Sequence, residues 1–524
     1  WKAGFQWIRN HEDYANGALY PMVNLYWGQS CSALEPYGVP EFTGDYGFYT
    51  VRGSWTSPYG YVWNAKRDSY ALYLQDSWTI NGRLTVNAGL RAESEYIPSF
   101  SPEYPGKPIK FGLGDKLAPR LSVVYDVFGD SSFKIFASFG IFYDAMKLYI
   151  AEGAYGGFKW KTDYYTLENY DFWQIANEYL AGDTSAEARA DQADGGEYMG
   201  TIDYRVPSFN TTDPDLKPTA QSEATLGLEK RLTQDLSLSV RFVRKHLIRT
   251  IEDIGFPGES GTVPYISNPG SAYVQGKLAE ILGDEYLAEP KAKREYYRLN
   301  ISLEKRFSHG WQGGFSYTWS RATGNYAGLS SADESDTAGR NAPNAEQAFD
   351  AWYSMYTWEG NLLDGVLPQD RSHYFKAYGS YTFPFGLTVG AAAHGRSGLP
   401  VSTRLLVNNL YMYPEGFGDL GRLPFTAWAD LYLEYALKIA GKYQAAINLQ
   451  VNNVTNTKTW QSMVTVANRN SMTFTDGEML SILAGTYHAE WRDYLADYWP
   501  NEQYGMHSTR FGTWSARLGL RFSF

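Results

Sequence analysis

Apolar and polar side chains alternate with a period of two along much of this 524-residue chain. The alternation is clearest from Trp514 to Phe524, where even positions carry Trp, Ala, Leu, Leu, Phe and Phe, and odd positions carry Ser, Arg, Gly, Arg and Ser. Successive side chains of a β-strand point to opposite faces, so such a segment has one apolar and one polar face. The pattern indicates an all-β chain, but alternation alone does not separate a lipid-facing barrel from a soluble sandwich.

Related alternation marks about fourteen segments, and we predict a β-strand in each of them. The segment at 69–80 is the least regular, because Asp76 falls on its apolar side. The predicted limits, good to a few residues, are 1–11, 69–80, 84–97, 117–128, 133–147, 220–231, 236–253, 294–307, 311–322, 369–383, 387–401, 423–439, 443–459 and 508–524.

The connections between these segments fall into two groups that alternate along the chain. Tight connections rich in turn-forming residues lie at 81–83, 129–132, 233–235, 308–310, 384–386 and 440–442. The others run from roughly twenty to roughly seventy residues, a length that is uncommon for loops of compact soluble domains. Short turns at one rim and long loops at the other are typical of outer-membrane barrels. We therefore predict a transmembrane antiparallel β-barrel, with its short turns in the periplasm and its long loops outside.

Composition agrees with a membrane barrel and argues against several other classes. Phe, Trp and Tyr make up 17% of the residues, yet no apolar run approaches the roughly 20 residues that a membrane helix needs. The net charge of −11 argues against nucleic acid as a partner, because phosphate binding requires a basic surface. The single cysteine, Cys31, excludes a disulfide framework. The seven histidines lack metal-pair spacing, so we predict no metal, no cofactor and no enzyme.

Short motifs occur in a characteristic order along the chain. They are Tyr73–Trp78 with Arg83–Arg91, Pro119–Ser122, Gly140–Asp144, Asp213–Pro218, Leu226–Glu229, Asp370–His373, Tyr381–Gly386, Gly421–Pro424, Asn452–Lys458 and the terminal Phe524. In this order they resemble the TonB-dependent outer-membrane transporter family, and Asp370–His373 with Tyr381–Gly386 resembles its Oar-like branch.

Members of that family have a plug domain, a TonB-contacting box and a barrel of about twenty-two strands. This sequence shows neither plug nor box, so we expect residues 1–524 to be one barrel domain holding the last fourteen or so strands, with the plug outside it. A complete smaller barrel is the alternative, because an even number of strands keeps both ends in the periplasm. Trp1 opens the chain without a secretory signal, so we expect either upstream cleavage or a longer protein.

The resemblance implies TonB-dependent import of a scarce nutrient, namely a chelated metal, an oligosaccharide or a peptide, across the outer membrane of a Gram-negative bacterium. The implied partners are outer-membrane lipid, the TonB–ExbB–ExbD complex and the barrel-assembly machinery, with Phe524 as the assembly signal. A surface lipoprotein or another protein is a further candidate partner. The alternatives are a passive porin-like channel and a scaffold or secretion component that binds another protein through its loops. The substrate is not identified by the sequence.

Two groups of residues are candidate sites. The predicted register points a polar group into the lumen, where its members either face a plug or solvate a channel. Loop aromatics either stack on a ligand or form the small cores that long loops need. The lumenal candidates are Arg91, Glu93, Arg298, Glu304, Arg517 and Arg521; the loop candidates are Tyr164, Tyr165, Tyr170 and Trp173 between strands, and Trp491, Tyr494 and Trp499 in a helical stretch over 487–499.

Overall fold

The computed structural model describes most of the chain, and β-structure predominates in it. The described residues are 1–16, 22–31, 38–53, 61–100, 105–151, 154–155, 161–171, 196–203, 209–258, 261–283, 287–328, 348–439, 443–486 and 490–524. In chain order the strands are β1 Lys2–Asn16, β2 Met22–Trp27, β3 Gly47–Gly53, β4 Tyr61–Ile80, β5 Leu84–Ile97, β6 Ile109–Asp126, β7 Phe133–Tyr143, β8 Lys161–Thr166, β9 Tyr198–Asp203, β10 Ala220–Arg231, β11 Leu236–Arg249, β12 Glu252–Gly258, β13 Gly261–Ser267, β14 Arg294–Ser308, β15 Trp311–Gly324, β16 Gly365–Val366, β17 His373–Thr382, β18 Leu387–Arg396, β19 Leu405–Val407, β20 Leu410–Met412, β21 Thr426–Ile439, β22 Tyr443–Asn452 and β23 Ser515–Ser523.

Helical structure is confined to the connections. The helices are α1 Ala272–Leu282, α2 Asp476–Leu483 and α3 Trp491–Tyr494, with 3-10 turns at Leu148–Ala151 and Phe209–Thr211. The helical stretch expected over 487–499 is thus a single turn, α3, within the residues described there. None of the helices in the described ranges is long and apolar enough to cross a membrane.

The long strands form one antiparallel sheet, and each of them corresponds to one predicted strand. Strands β5 and β10 have the predicted limits. The other limits differ by up to eight residues; for example, β4 begins at Tyr61 rather than at residue 69, and β23 at Ser515 rather than at residue 508. In the described ranges, β1 and β23 each pair with one neighbour in this sheet, and the short β16 adds to β15. The order of the long strands is β1, β4, β5, β6, β7, β10, β11, β14, β15, β17, β18, β21, β22 and β23.

Strand β6 begins earlier than the sequence predicted, at Ile109 rather than at residue 117. The ladder between β5 and β6 shifts register after Glu93, so that Glu95 lies opposite Phe111. Such a bulge interrupts the two-residue period, and this is why the sequence pattern stops short. The connection between β5 and β6 is therefore shorter than predicted and covers residues 98–108.

Two of the described tight turns have the backbone conformation that a short antiparallel hairpin requires. Asn81 and Gly82 both have positive φ, at 51° and 66°, and His309 and Gly310 have φ of 54° and 82°. Two successive residues with positive φ form the turn whose twist matches that of the flanking strands. These hairpins alternate with the long connections, as the sequence predicted.

Apolar positions of neighbouring strands align into rows on one face of the sheet. Tyr435, Ile447 and Leu520 form one such row, and Leu518 belongs to the next row. Leu518 and Leu520 remain 72% and 70% exposed. A continuous exposed apolar surface of this kind requires lipid rather than water as its neighbour. We call this surface the apolar belt, and the opposite side of the same sheet the polar face.

The long connections build a second layer of structure beyond one end of the sheet. Strands β2, β3, β8 and β9 form a separate four-stranded sheet, and β12–β13 and β19–β20 form hairpins. The largest buried cluster combines residues from the connections that follow β11, β15, β18 and β22, among them Phe256, Trp352, Met412 and Trp491. These loops therefore pack on one another and form a common hydrophobic core.

Candidate ligand site on the polar face

All six predicted lumenal residues lie on the polar face. Arg91 forms an ion pair with Glu93 and donates a hydrogen bond from Nη2 to Gln6 at 2.8 Å. Glu304 accepts a hydrogen bond from the hydroxyl of Tyr378 at 2.6 Å. In the register of the sheet, each of these positions alternates with positions of the apolar belt. Their role toward a plug stays a prediction.

The three remaining arginines of this group differ in how they are paired. Arg521 donates to Glu434 at 2.9 Å, and Arg517 lies opposite Gln450 on the neighbouring strand. Nε of Arg298 is buried and has no hydrogen-bond partner within the described residues. The polar face therefore combines satisfied ion pairs with cations that have no carboxylate partner in the described part of the chain.

A buried ion network joins this face to the first long loops, and the sequence analysis did not single it out. The carboxylate of Glu95 lies 2.8 Å from Nζ of Lys116 and 3.4 Å from Nε of Arg67. It also accepts a hydrogen bond from the backbone N–H of Met146 at 3.0 Å, and Lys116 donates to the carbonyl of Asp144 at 3.1 Å. The network thereby holds the segment after β7 against the sheet. Two acidic residues spaced two apart on β5, Glu93 and Glu95, were the available sequence signal.

A cavity of about 380 Å³ lies on the polar face close to the loops. Lys245 and Arg371 line it beside Arg294, whose guanidinium carbon lies 5.6 Å from the ring centre of Tyr326. Oε1 of Gln369 is buried and makes no hydrogen bond within the described residues. We call this the rim cavity; its lining comprises Gln221, Lys245, Arg294, Tyr296, Ser320, Ala322, Gln369, Asp370 and Arg371.

The charges around the rim cavity are predominantly positive. Its one carboxylate, Asp370, is already engaged by Arg422 from outside the lining. Lys245 is paired with Glu223 at 2.9 Å, whereas Arg294 and Arg371 donate to backbone carbonyl groups. Guanidinium groups bind carboxylate and phosphate groups in a bidentate geometry, through two parallel hydrogen bonds. The rim cavity is therefore suited to a ligand that carries negative charge.

The predicted aromatic residues of the first long loop have different environments. Tyr165 is completely buried and stacks on Tyr49 with ring centres 5.0 Å apart, so it cannot touch a ligand in this conformation. Tyr164 is half-buried against another small core. Tyr170 is 72% exposed. Trp173 lies outside the described residues.

The aromatic residues predicted in the last loop also differ in how far they are exposed to solvent. Trp491 is buried in the common loop core, where its indole N–H donates to Glu415 at 3.0 Å. Tyr494 packs on that core, 5.7 Å from the ring centre of Trp358. Trp499 is 65% exposed. Tyr170 and Trp499 are thus the most exposed of the described candidates, and ligand binding by any of the seven stays a prediction.

One buried carboxyl group in the loops has an altered acidity. Glu289 is buried, and neither carboxyl oxygen has a hydrogen-bond partner within the described residues. Burial disfavours the charged form and raises the pKa of Glu289 well above its ordinary value. Within the described ranges, no three His, Cys, Asp or Glu side chains gather as a metal site would require.

An antiparallel sheet with an exposed apolar belt, tight turns at one end and packed loops at the other defines a transmembrane β-barrel. A family model described as the outer membrane beta barrel domain matches residues 111–397, more than half of the chain. The chain therefore belongs to the outer membrane beta barrel domain family. It resides in the outer membrane of a Gram-negative bacterium, as the sequence predicted.

Comparison with curated proteins identifies a relative among transporters. The chain is 25% identical over 432 residues to the TonB-dependent transporter Oar of Myxococcus xanthus. The alignment covers 78% of this chain and 38% of that protein, so the chain spans well under half of its relative's length. The predicted resemblance to TonB-dependent transporters of the Oar-like branch is thereby confirmed.

Solved structures of outer-membrane receptors and transporters are also similar. The ferric citrate transporter FecA in its unliganded form shares 10% identity, with 91% of this chain and 51% of that chain covered and a TM-score of 0.43. The outer membrane transporter YddB from Escherichia coli shares 10% identity, with 80% and 57% covered and a TM-score of 0.43.

Proposed function

We propose that this barrel is part of a TonB-dependent transporter that imports a scarce, negatively charged nutrient across the outer membrane. The observation that carries the proposal is the rim cavity, whose cations Arg294 and Arg371 lie on the polar face beneath the packed loops. The relationship to the transporter Oar supports transport as the general activity. A chelated metal, an acidic oligosaccharide and an acidic peptide are the ligand classes that fit.

The ligand enters between the loops, where exposed aromatic groups provide stacking surfaces, and then reaches the cations of the rim cavity. Tyr170 and Trp499 supply the exposed rings. Arg294 and Arg371 supply donors for carboxylate or phosphate oxygens. Release toward the periplasm requires energy from the TonB–ExbB–ExbD complex, which acts through a plug domain that lies outside these residues.

The test uses the full-length protein in its native membrane and after purification. Binding of ferric citrate, an acidic oligosaccharide and an acidic peptide is measured by calorimetry for the wild type and for the double variant Arg294→Gln/Arg371→Gln. We expect one probe class to bind the wild type at micromolar concentration or below, and the double variant to bind it at least tenfold more weakly. The matched control is Arg231→Gln, which removes an arginine from the tight-turn end of β10.

Uptake of the bound probe separates import from passive diffusion. We expect uptake to stop when the proton-motive force is collapsed or when TonB is deleted. Uptake that continues under both conditions, together with an open conductance in planar bilayers, would support a porin-like channel instead.

A further inference from the structure

A row of charged and aromatic side chains crosses three neighbouring strands on the outer surface of the barrel. Arg244 of β11 lies directly opposite Tyr297 of β14, and Tyr297 lies directly opposite Arg321 of β15. All three belong to the same face as the apolar belt, since they alternate with residues of the polar face along each strand. Two arginines therefore flank one tyrosine on the side of the sheet that faces the membrane.

The position of this row along the strands places it at the outer edge of the membrane. The next row toward the tight turns consists of Phe242, Leu299 and Trp319, aligned in the same register. Phe242 is 39% exposed, as expected of a side chain in contact with lipid. The row of Arg244 and Arg321 thus lies immediately above apolar residues, on the loop side, where lipid headgroups begin.

The two arginines have different partners. Arg244 donates to both carboxylate oxygens of Glu295, at 3.2 and 3.1 Å, and its guanidinium carbon lies 5.9 Å from the ring centre of Tyr297. His246 also lies against Glu295. Arg321 is exposed and has no carboxylate partner within the described residues. The one acidic group of the cluster is thus shared by Arg244 and His246, and the charge of Arg321 is not compensated by any carboxylate of the described residues.

An uncompensated guanidinium at a membrane interface is stabilised by an anionic headgroup. Basic residues next to an apolar membrane surface attract anionic lipids, and guanidinium groups bind phosphate oxygens through two parallel hydrogen bonds. The row combines this charge with an apolar surface below it for acyl chains and with Tyr297 between the cations. Continuity with the apolar belt argues for a lipid rather than a soluble anion as the occupant.

We propose that Arg244, Tyr297 and Arg321 form a binding site for the phosphate group of a glycolipid in the outer leaflet of the outer membrane. Arg321, which has no carboxylate partner among the described residues, supplies one guanidinium, and Arg244, oriented by Glu295, supplies the second. Phe242 and Trp319 contact the acyl chains. The site lies outside the barrel and is independent of the imported nutrient.

The test measures lipid binding to the purified full-length protein by native mass spectrometry in detergent. The probes are hexa-acylated diphosphoryl lipid A and the same glycolipid without its phosphates. We expect the phosphorylated lipid to bind at least fivefold more tightly, and Arg321→Gln to weaken its binding about fivefold, the effect of about one cation at a membrane surface. Arg321→Lys keeps the charge and is expected to retain most of the binding.

The matched control is Arg298→Gln, which removes an arginine next to Tyr297 on the same strand but on the opposite face. Its lipid binding is expected to equal that of the wild type. The proposal is overturned if Arg321→Gln binds diphosphoryl lipid A as the wild type does, if Arg298→Gln loses as much binding, or if the phosphate-free lipid binds equally well. Displacement of the lipid by millimolar inorganic phosphate would assign the site to a soluble anion and would also overturn it.

Discussion

Arg422 contacts two groups of Asp370. Its Nη1 donates a hydrogen bond to the backbone carbonyl at 3.2 Å, and its Nη2 forms an ion pair with the carboxylate. The Asp370 side chain has no exposed surface, and it also accepts hydrogen bonds from the N–H of Ala322 at 2.7 Å and from the hydroxyl of Ser372 at 3.2 Å. The two residues are 52 positions apart in the sequence. The ion pair therefore links the motifs Asp370–His373 and Gly421–Pro424 beside the rim cavity.

Replacing Arg422 by Ala should strongly destabilise the contact between the segments that carry Arg422 and Asp370. The change leaves a buried carboxylate without its cation, which typically costs about 3–5 kcal/mol. Hydrogen exchange should show faster exchange of the amides of Ala322 and of residues 367–372, because local opening becomes easier. Arg422→Lys keeps the charge but loses the two-point geometry, so an intermediate effect is expected. Unchanged exchange in Arg422→Ala would contradict a structural role for the pair.

Replacing Glu95 by Gln should release the segment that follows β7. Lys116 is buried and would lose its closest carboxylate, and the backbone N–H of Met146 would lose a charged acceptor. Leaving such a group unpaired costs roughly 1–3 kcal/mol or more. Limited proteolysis and hydrogen exchange over residues 144–151 should report the loss.

The matched control for that experiment is Glu93→Gln, on the same strand and the same face. Glu93 lies 3.9 Å from Lys116 and is partly exposed, so its removal should change protection of the same segment little. Equal loss of protection in both variants would show that general disturbance of β5, rather than the buried network, is responsible.

The register of the last strand predicts different outcomes for an arginine placed on each of its two faces. Leu520→Arg places a charge on the apolar belt and should destabilise the inserted barrel by roughly 2–4 kcal/mol near the middle of the membrane. Ser515→Arg places the same charge on the polar face and should insert nearly normally. Urea titration of the protein in lipid vesicles measures both. Comparable losses in the two variants would refute the assignment of faces.

The raised pKa of Glu289 predicts how the stability of the loops depends on pH. Because burial raises the pKa of Glu289, its carboxyl stays protonated in the folded loops at pH values where it ionises in the unfolded chain. The folded loops therefore lose stability as pH rises above the ordinary pKa of glutamate. Glu289→Leu removes the buried polar group and should stabilise the loops at pH 7 by roughly 1–3 kcal/mol.

Thermal unfolding of the loops, followed at pH 4 and pH 7, shows whether Glu289→Leu gains stability by removing an ionisable group or by improving the packing. We expect the advantage of Glu289→Leu to shrink toward pH 4, where the wild-type carboxyl is protonated in the folded loops and mostly protonated in the unfolded chain. A gain that is the same at both pH values would mean that ionisation of Glu289 does not contribute.

Strands of the barrel could be predicted from the sequence because lipid on one side and polar surroundings on the other impose a period of two. Strand β10 has its predicted limits, whereas β6 was predicted too short, because a bulge near Glu95 breaks the period. The small loop strands were not predicted, since they are stabilised by partners distant in sequence. Phe48, for example, pairs with Thr166.

The candidate site could be predicted only in part. Alternation places Arg298 and Glu304 on the polar face without knowledge of their neighbours. Residue type does not reveal burial in an irregular loop, where Tyr165 and Tyr170 are five positions apart and yet one is buried and the other exposed. Phe524 is fully exposed at the end of β23, and its role as assembly signal stays a prediction.

The common loop core has a consequence for how this surface diversifies. Trp491 and Trp352 come from different connections but share one buried cluster, so a change in either requires compensation in a segment more than a hundred residues away. Loops held together in this way evolve as one unit. Adaptation to a new nutrient, or escape from a phage or an antibody, is then left to positions such as Tyr170 and Trp499, which are mostly exposed and lie outside the common loop core.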